Sequence, residues 1–174
     1  MLSNKHFISL KDTPKEDIIT LIETGFSFRE VLERPIKKVP TLGGKNILNL
    51  FFENSTRTRM SFDLAEKRLS ADVTNFSASS SSLNKGETFR DTVQNIQVMK
   101  VDCIVIRHPS PGSSLQLTKF VDSIIVNAGD GTHEHPTQAM LDVMSLYERF
   151  KTFDNLKVAI IGDILHSRVA LSNI

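Results

Sequence analysis

Apolar residues along the chain fall into two alternating kinds of run. Short, near-continuous stretches of strand length occur at residues 47–52, 101–106 and 123–126, and the more polar residues 71–76 (ADVTNF) are a further strand candidate. Between them, apolar residues return every third or fourth position, as on one face of a helix. Asp12-Thr13-Pro14 supplies a capping residue and a first-turn proline. Ile18, Ile19, Leu21, Ile22, Phe26, Phe28, Val31 and Leu32 then give an apolar face to about Glu33, and Arg34-Pro35 ends it. Met60, Phe62, Leu64, Ala65 and Leu69 predict a helix over residues 57–70. Val93, Ile96, Val98 and Met99 predict another, Leu115, Leu117 and Phe120 a short one, and Met140, Leu141, Val143, Met144, Leu146 and Tyr147 a long one. Apolar runs of this kind suit strands covered on both faces. The alternation predicts an α/β fold, a parallel sheet flanked by helices. After Asn155-Leu156-Lys157, the run Val158 to Ile161, the turn Gly162-Asp163 and a helix start at Ser167 predict the first strand and helix start of a second α/β unit, which the chain leaves at Ile174.

Each unusual polar cluster follows a predicted strand, and in parallel sheets ligands bind beyond the carboxyl ends of the strands. Ser55-Thr56-Arg57-Thr58-Arg59 stands where the first strand hands over to a helix. Hydroxyl donors, two guanidinium groups, unpaired N–H groups of a first turn and the positive end of the helix dipole meet there, a combination suited to a phosphate. Arginine adds a planar fork that grips phosphate bidentately. The plainer reading is an ordinary serine cap with solvated arginines. The serine-dense segment from Ser77 to Ser82, with Lys85-Gly86-Glu87-Thr88 behind it, reads as a flexible linker or as a loop that closes over an anion. Arg107-His108-Pro109 and His135-Pro136-Thr137-Gln138 complete the set.

Three other patterns carry less chemistry. His133-Glu134-His135 lacks the i, i+4 spacing of paired helical ligands, and no metal is expected. Gly129-Asp130-Gly131 and Gly162-Asp163 are turn glycines that form neither a dinucleotide nor a P-loop fingerprint. Asp142, Glu148 and Arg149 read as a solvated helix face.

Composition narrows the class. With 40% apolar and 24% charged residues in 174, the chain can build a real core and is not disordered. A formal net charge of +1 gives no basic field for nucleic acid or a membrane surface. Cys103, the single cysteine, lies in the run Val101 to Ile106 and reads as a small packed hydrophobe rather than a nucleophile. The absence of an internal disulfide fits a reducing compartment. No signal-length or membrane-length apolar run occurs, so a cytoplasmic protein is expected.

Taken together, Ser55-Thr56-Arg57-Thr58-Arg59, Ser81 with Lys85-Gly86-Glu87-Thr88, Arg107-His108-Pro109 and His135-Pro136-Thr137-Gln138 resemble the carbamoyltransferase family, in its order and spacing from about Ile47 to the last residue. The serine–lysine loop, and Gly162-Asp163 followed by Ser167-Arg168, favour aspartate over ornithine as the acceptor. The resemblance implies a carbamoyl-phosphate-binding domain over residues 1–150 and the beginning of an aspartate-binding domain over residues 151–174. It implies transfer of the carbamoyl group from carbamoyl phosphate to L-aspartate, an early step of pyrimidine synthesis, without a cofactor. By position, Ser55, Thr56, Arg57 and Thr58 would hold the phosphate, and Thr58, Arg107 and His135 would meet the carbonyl oxygen. Gln138 would meet the carbamoyl NH2, and Arg168 the aspartate carboxylate. Ser81 and Lys85 would reach into a neighbouring subunit's site, Lys85 serving both phosphate and aspartate, which implies a homotrimer with shared sites and leaves room for regulatory or other pathway subunits. Arg57, Thr58, Lys85, Arg107 and His135 would carry the catalysis. Family chains are nearly twice as long, so residues 1–174 alone are expected to turn over poorly. Ornithine carbamoyl transfer, a non-catalytic carbamoyl-phosphate-binding domain and a plain phosphate-binding domain are the rival expectations.

Overall fold

Short β-branched and aromatic runs separated by helical segments fold here into one four-stranded parallel sheet. The computed structural model describes residues 2–77 and 89–174. The strands are β1 (Asn46–Phe51), β2 (Asp72–Ser77), β3 (Cys103–His108) and β4 (Ile124–Asp130). The helices are α1 (Lys15–Glu33), α2 (Thr56–Arg68), α3 (Phe89–Val98), α4 (Ser113–Leu117), α5 (Pro136–Phe150) and α6 (Arg168–Ser172). Sheet order is β2-β1-β3-β4, with all three pairings parallel. The chain leaves β1 in one direction to make β2, then crosses back to place β3 on the other side. The crevice between β1 and β3 is therefore a topological switch point, where open α/β sheets receive ligands.

Both faces of the sheet are covered. Leu48, Leu50, Ile104, Ile106 and Ile125 meet Val93 and Ile96 of α3 and Leu117 of α4 on one side. Ile47, Phe51, Val105 and Ala128 form the core of the other, with Phe62 of α2 and Cys103 packed against them. Cys103 is thus the packed hydrophobe its sequence context predicts, and burial pushes its thiol up to about 12. Asn49, on the α2 side of β1, is fully buried and donates Nδ2 to Glu66 Oε2 at 2.8 Å and to Asn75 Oδ1 at 3.1 Å. These bonds tie β1, the last turn of α2 and β2 into one unit. Ahead of α1, Phe7 pairs with Val126 through Phe7 N–H to Ile125 O and Asn127 N–H to Phe7 O, covering part of the β4 edge.

Three expectations change. Val98 and Met99 are mostly exposed, because Val93 and Ile96, three residues apart, take the sheet-facing stripe of α3 and residues two and three further on turn off it or leave the helix. Strand β4 does not end at Val126 but runs through Asn127-Ala128-Gly129 to Asp130, with a register shift opposite Ile106 and His108. Residues 158–161 form no strand: they pair with none of the described residues, and Ile161 is 95% exposed. Strand conformation depends on a ladder of partners, and no sheet edge among the described residues reaches this run. The helix expected at Ser167 does form, as α6, with the Ser167 hydroxyl accepting the Ala170 N–H. No helix among the described residues is long and apolar enough to cross a membrane.

Candidate functional site

Pairing of β1 with β3 sets Phe51 opposite Arg107, and Phe52 N–H donates to Arg107 O at 2.8 Å. Glu53, just beyond β1, and Arg107, near the end of β3, therefore emerge side by side at the switch point. Arg107 Nε lies 2.6 Å from Glu53 Oε1, and Arg168 Nη2 of α6 donates to the same oxygen at 2.7 Å. The three side chains are 11% (Arg107), 25% (Glu53) and 19% (Arg168) exposed, so their charges are poorly screened. Two guanidinium groups share one carboxylate, which leaves one net positive charge facing the cleft. Burial, then the nearby Arg168, lower the Arg107 pKa, while Glu53 opposes the shift.

Around that cluster lies a cleft of about 660 Å³ lined by Ser55, Arg57, Thr58, Arg107, His135, Gln138 and Arg168, together with Thr137 and Asp142. Ser55 caps α2 without a side-chain capping bond, and the first turn holds no acidic residue. It holds Arg57 instead, a cation at the helix end whose dipole disfavours cations. A bound anion reconciles that arrangement, satisfying the orphan N–H groups and the guanidinium together. Thr56 opens the helix but is exposed and is not part of the cleft lining.

Deeper in, Arg107 Nη1 donates to Ala128 O at 3.2 Å and lies 3.4 Å from Thr58 Oγ1 and 3.3 Å from His135 Nε2. Thus polar side chains from α2, β3 and the α5 N-terminus converge on one point. His135 is 92% buried. Its pKa falls to about 4, first through burial and then through repulsion by Arg107 and Arg168. The ring is neutral at pH 7, too weak a base to take a proton efficiently but able to donate one N–H. Its Nδ1 lies 3.4 Å from Thr137 Oγ1, a hydroxyl that can serve either tautomer.

The loop bearing His135 is held from below. His135 N–H donates to Ser172 Oγ at 2.7 Å, and the Ser172 hydroxyl in turn donates to buried Glu134. Glu134 also accepts Ser9 Oγ at 3.1 Å. Buried Asp130 accepts the N–H groups of Gly112 at 2.7 Å and Glu134 at 3.1 Å and Asn127 Nδ2 at 3.0 Å, joining the loops after β3 and β4. The acidic member of the His-Glu-His run is thus engaged by two serine hydroxyls.

Gly129 shows how closely the arginines press on β4. Its φ is +118°, and a Cβ there would stand 3.2 Å from Arg168 Nη1 and 3.3 Å from Arg107 Nη1. Gly129→Ala is expected to cost about 1–3 kcal/mol of folding stability through backbone strain. It should also weaken anion binding in the cleft by pushing both guanidinium groups outward. Urea denaturation and phosphate titration of the variant check both effects.

Against this geometry, known proteins are informative. Residues 5–148 match the family model for the carbamoyl-P binding domain of aspartate/ornithine carbamoyltransferase. The chain belongs to this family. It is 61% identical over 173 residues to the aspartate carbamoyltransferase catalytic subunit of Christiangramia forsetii, covering 99% of this chain and 56% of that protein. The corresponding subunit of Cytophaga hutchinsonii is 60% identical with the same coverage. Among solved structures, aspartate transcarbamoylase from Trypanosoma cruzi in complex with carbamoyl aspartate and phosphate superposes with a TM-score of 0.91 at 34% identity, over 99% of this chain and 53% of that one. The catalytic subunit of M. jannaschii aspartate transcarbamoylase gives 0.87 at 38% identity, over 98% and 55%. This carbamoyltransferase-family chain spans about half the length of the relatives it matches.

Of the residues singled out in the sequence, Ser55, Arg57, Thr58, Arg107, His135, Gln138 and Arg168 share the one cleft. Ser81 and Lys85, with Gly86, Glu87 and Thr88, lie outside the described residues. Two residues gain a place in the site that their sequence context did not reveal. Glu53 follows β1 directly, on the ligand-binding rim, which was its only signal; one partner, Arg168, is 115 residues away. Asp142 is not part of a solvated face: it bonds Gln138 and Asn173 because α6 packs over that side of α5. Glu148, by contrast, is exposed and pairs with Arg29 of α1.

Proposed function

We propose that this chain binds carbamoyl phosphate in the cleft at the β1–β3 switch point and presents its carbonyl carbon to the amino group of L-aspartate, giving N-carbamoyl-L-aspartate and phosphate for pyrimidine synthesis. The observation that carries the reading is the convergence of Thr58, Arg107 and neutral His135 beside the α2 N-terminus. A phosphate anchored at Ser55, Thr56, Arg57 and Thr58 puts the attached carbonyl oxygen among those three donors. As the amine attacks, the C–N bond forms and negative charge collects on that oxygen, where preorganised donors matter most. The C–O bond to phosphate then breaks, and the departing phosphate, a better base than His135, takes the amine proton. Gln138 meets the carbamoyl NH2. Arg168, held by Glu53 at the cleft edge, meets an aspartate carboxylate. The work is chiefly the positioning of two small anions, which calls for arginines and neither metal nor covalent intermediate.

Residues 1–150 then serve as the carbamoyl-phosphate domain and residues 151–174 as the start of the aspartate domain. Ser81 and Lys85 supply a neighbouring subunit's site in a cytoplasmic homotrimer, Lys85 meeting both phosphate and aspartate. The names of the relatives support aspartate as the acceptor. Supplying carbamoyl phosphate with either L-aspartate or L-ornithine to the protein purified from its own cells tests the reading. Carbamoylaspartate is the expected product. Citrulline instead, or neither product, refutes it.

The phosphate anchor has its own test. Arg57→Ala is expected to weaken carbamoyl phosphate binding by about 2–3 kcal/mol, the size of a charge-assisted hydrogen bond. Calorimetric titration giving the parent's affinity would place the phosphate elsewhere.

A further inference from the structure

We infer that Asp142 sets which end of the Gln138 amide faces the cleft, and so makes the site select a carbamoyl NH2 over isosteric acyl phosphates. The inference rests on the function proposed above. Gln138 and Asp142 stand one turn apart on α5, and both line the cleft. Gln138 Nε2 donates to Asp142 Oδ1 at 3.1 Å. A carboxylate offers only acceptors, so the flipped amide would set oxygen against oxygen. One orientation is left, with Nε2 committed to Asp142 and Oε1 as the acceptor that Gln138 offers to the cleft.

Asp142 is itself fixed. Its other oxygen, Oδ2, accepts Asn173 Nδ2 at 2.9 Å, and the same amide nitrogen donates to Val169 O at 2.9 Å. The chain Asn173–Asp142–Gln138 thus runs from α6 to the cleft, each hydrogen bond oriented by the one before. An acceptor at Gln138 Oε1 matches the NH2 of a carbamoyl group and has nothing to bond in the methyl of an acetyl group. Donors Arg107 and His135 serve the carbonyl oxygen that both acyl groups share, so they do not discriminate. Asp142 acts through Gln138 and touches no reacting atom, which makes it a positioning residue.

The test compares carbamoyl phosphate, acetyl phosphate and inorganic phosphate by calorimetric titration of the intact protein. The proteins are the parent, Asp142→Asn, Gln138→Met and the double variant. An asparagine at 142 can donate as well as accept, so it no longer dictates the Gln138 orientation. Asp142→Asn is expected to reduce the preference for carbamoyl over acetyl phosphate by about threefold to tenfold, the scale of one neutral hydrogen bond. Loss of the carboxylate charge acts on all three anions alike, so affinity for inorganic phosphate is expected to be no lower than the parent's. In the Gln138→Met background, Asp142→Asn is expected to leave the preference where Gln138→Met puts it.

An unchanged preference in Asp142→Asn, equal weakening of all three ligands, or a further loss of preference in the double variant overturns the inference. If Asp142→Asn does not fold, Asn173→Ala loosens Asp142 from α6 and should erode the same preference; no erosion counts against the inference. A parent that binds acetyl phosphate as well as carbamoyl phosphate would bring down the proposed function and this inference together. A discriminating parent whose Asp142→Asn variant still discriminates would remove only the role of Asp142.

Discussion

Arg107→Ala is expected to lower carbamoyl transfer by about a thousandfold, the upper range for losing one oxyanion donor. Three consequences act in the same direction. The variant loses Nη1, which faces Thr58 and His135 at the point where the carbonyl oxygen is placed. It also leaves Glu53 with Arg168 as its only partner in the cluster, so a net charge of +1 falls to zero in a poorly screened site. Finally, a cavity opens beside Ala128, whose carbonyl loses the Nη1 donor. Arg107→Lys keeps the charge but not the fork that reaches Glu53, Ala128 and Thr58 at once, and should recover little. Steady-state rates with saturating substrates separate lost chemistry from lost binding: the expectation is a fall in kcat as well as a rise in KM. A variant that keeps the parent's kcat would take Arg107 away from the carbonyl oxygen.

His135 is expected to make the fold sensitive to acid. Its folded pKa of about 4 lies below the ordinary histidine value of 6.5. Between those two values the unfolded chain binds more protons than the folded one, so stability rises with pH. The contribution is fully present above about pH 6.5 and is lost as pH falls through 4. The 2.5-unit difference corresponds to about 3 kcal/mol. His6 and His108 are also held below the ordinary range by burial and add to the same trend. The His135 share is therefore read as a difference: denaturant unfolding of parent and His135→Gln from pH 7.5 to 4.5. The parent should lose about 3 kcal/mol more than the variant, and parallel curves would contradict the neutral buried imidazole. For turnover, kcat/KM should show no acid limb near pH 6.5 from this residue. His135→Ala should cost about a hundredfold or more in kcat, as a lost oxyanion donor does.

Much of this architecture is legible without coordinates, because it depends on local order in the chain. Near-continuous apolar runs at Ile47 to Phe52, broken only by Asn49, and at Cys103 to Ile106, set between helical periods, announce a parallel sheet covered on both faces. The placement of Arg57, Arg107, His135 and Gln138 just beyond strands or at helix starts announces a shared rim, and all four line one cleft. Local pattern is less informative where a long-range partner decides. Val158 to Ile161 has strand composition, yet an apolar run becomes a strand only when another pairs with it. Asp142 has the look of a solvated residue until α6 brings Asn173 across to it.

The sequence by itself determined the fold class, the order of elements as far as α5 and the chemical character of the cleft, since these follow from periodicity and from which residue types cluster behind each strand. Only the tertiary structure decided the strand order β2-β1-β3-β4 and, with it, the pairing of Glu53 with Arg107 and Arg168. Those three residues are far apart in the chain, and nothing in their neighbours specifies that one carboxylate oxygen will serve two guanidinium groups. Nor does composition reveal that His135 is neutral. Its charge state comes from burial and from two arginines supplied by other elements, and a buried group takes its pKa from the surroundings that folding assembles.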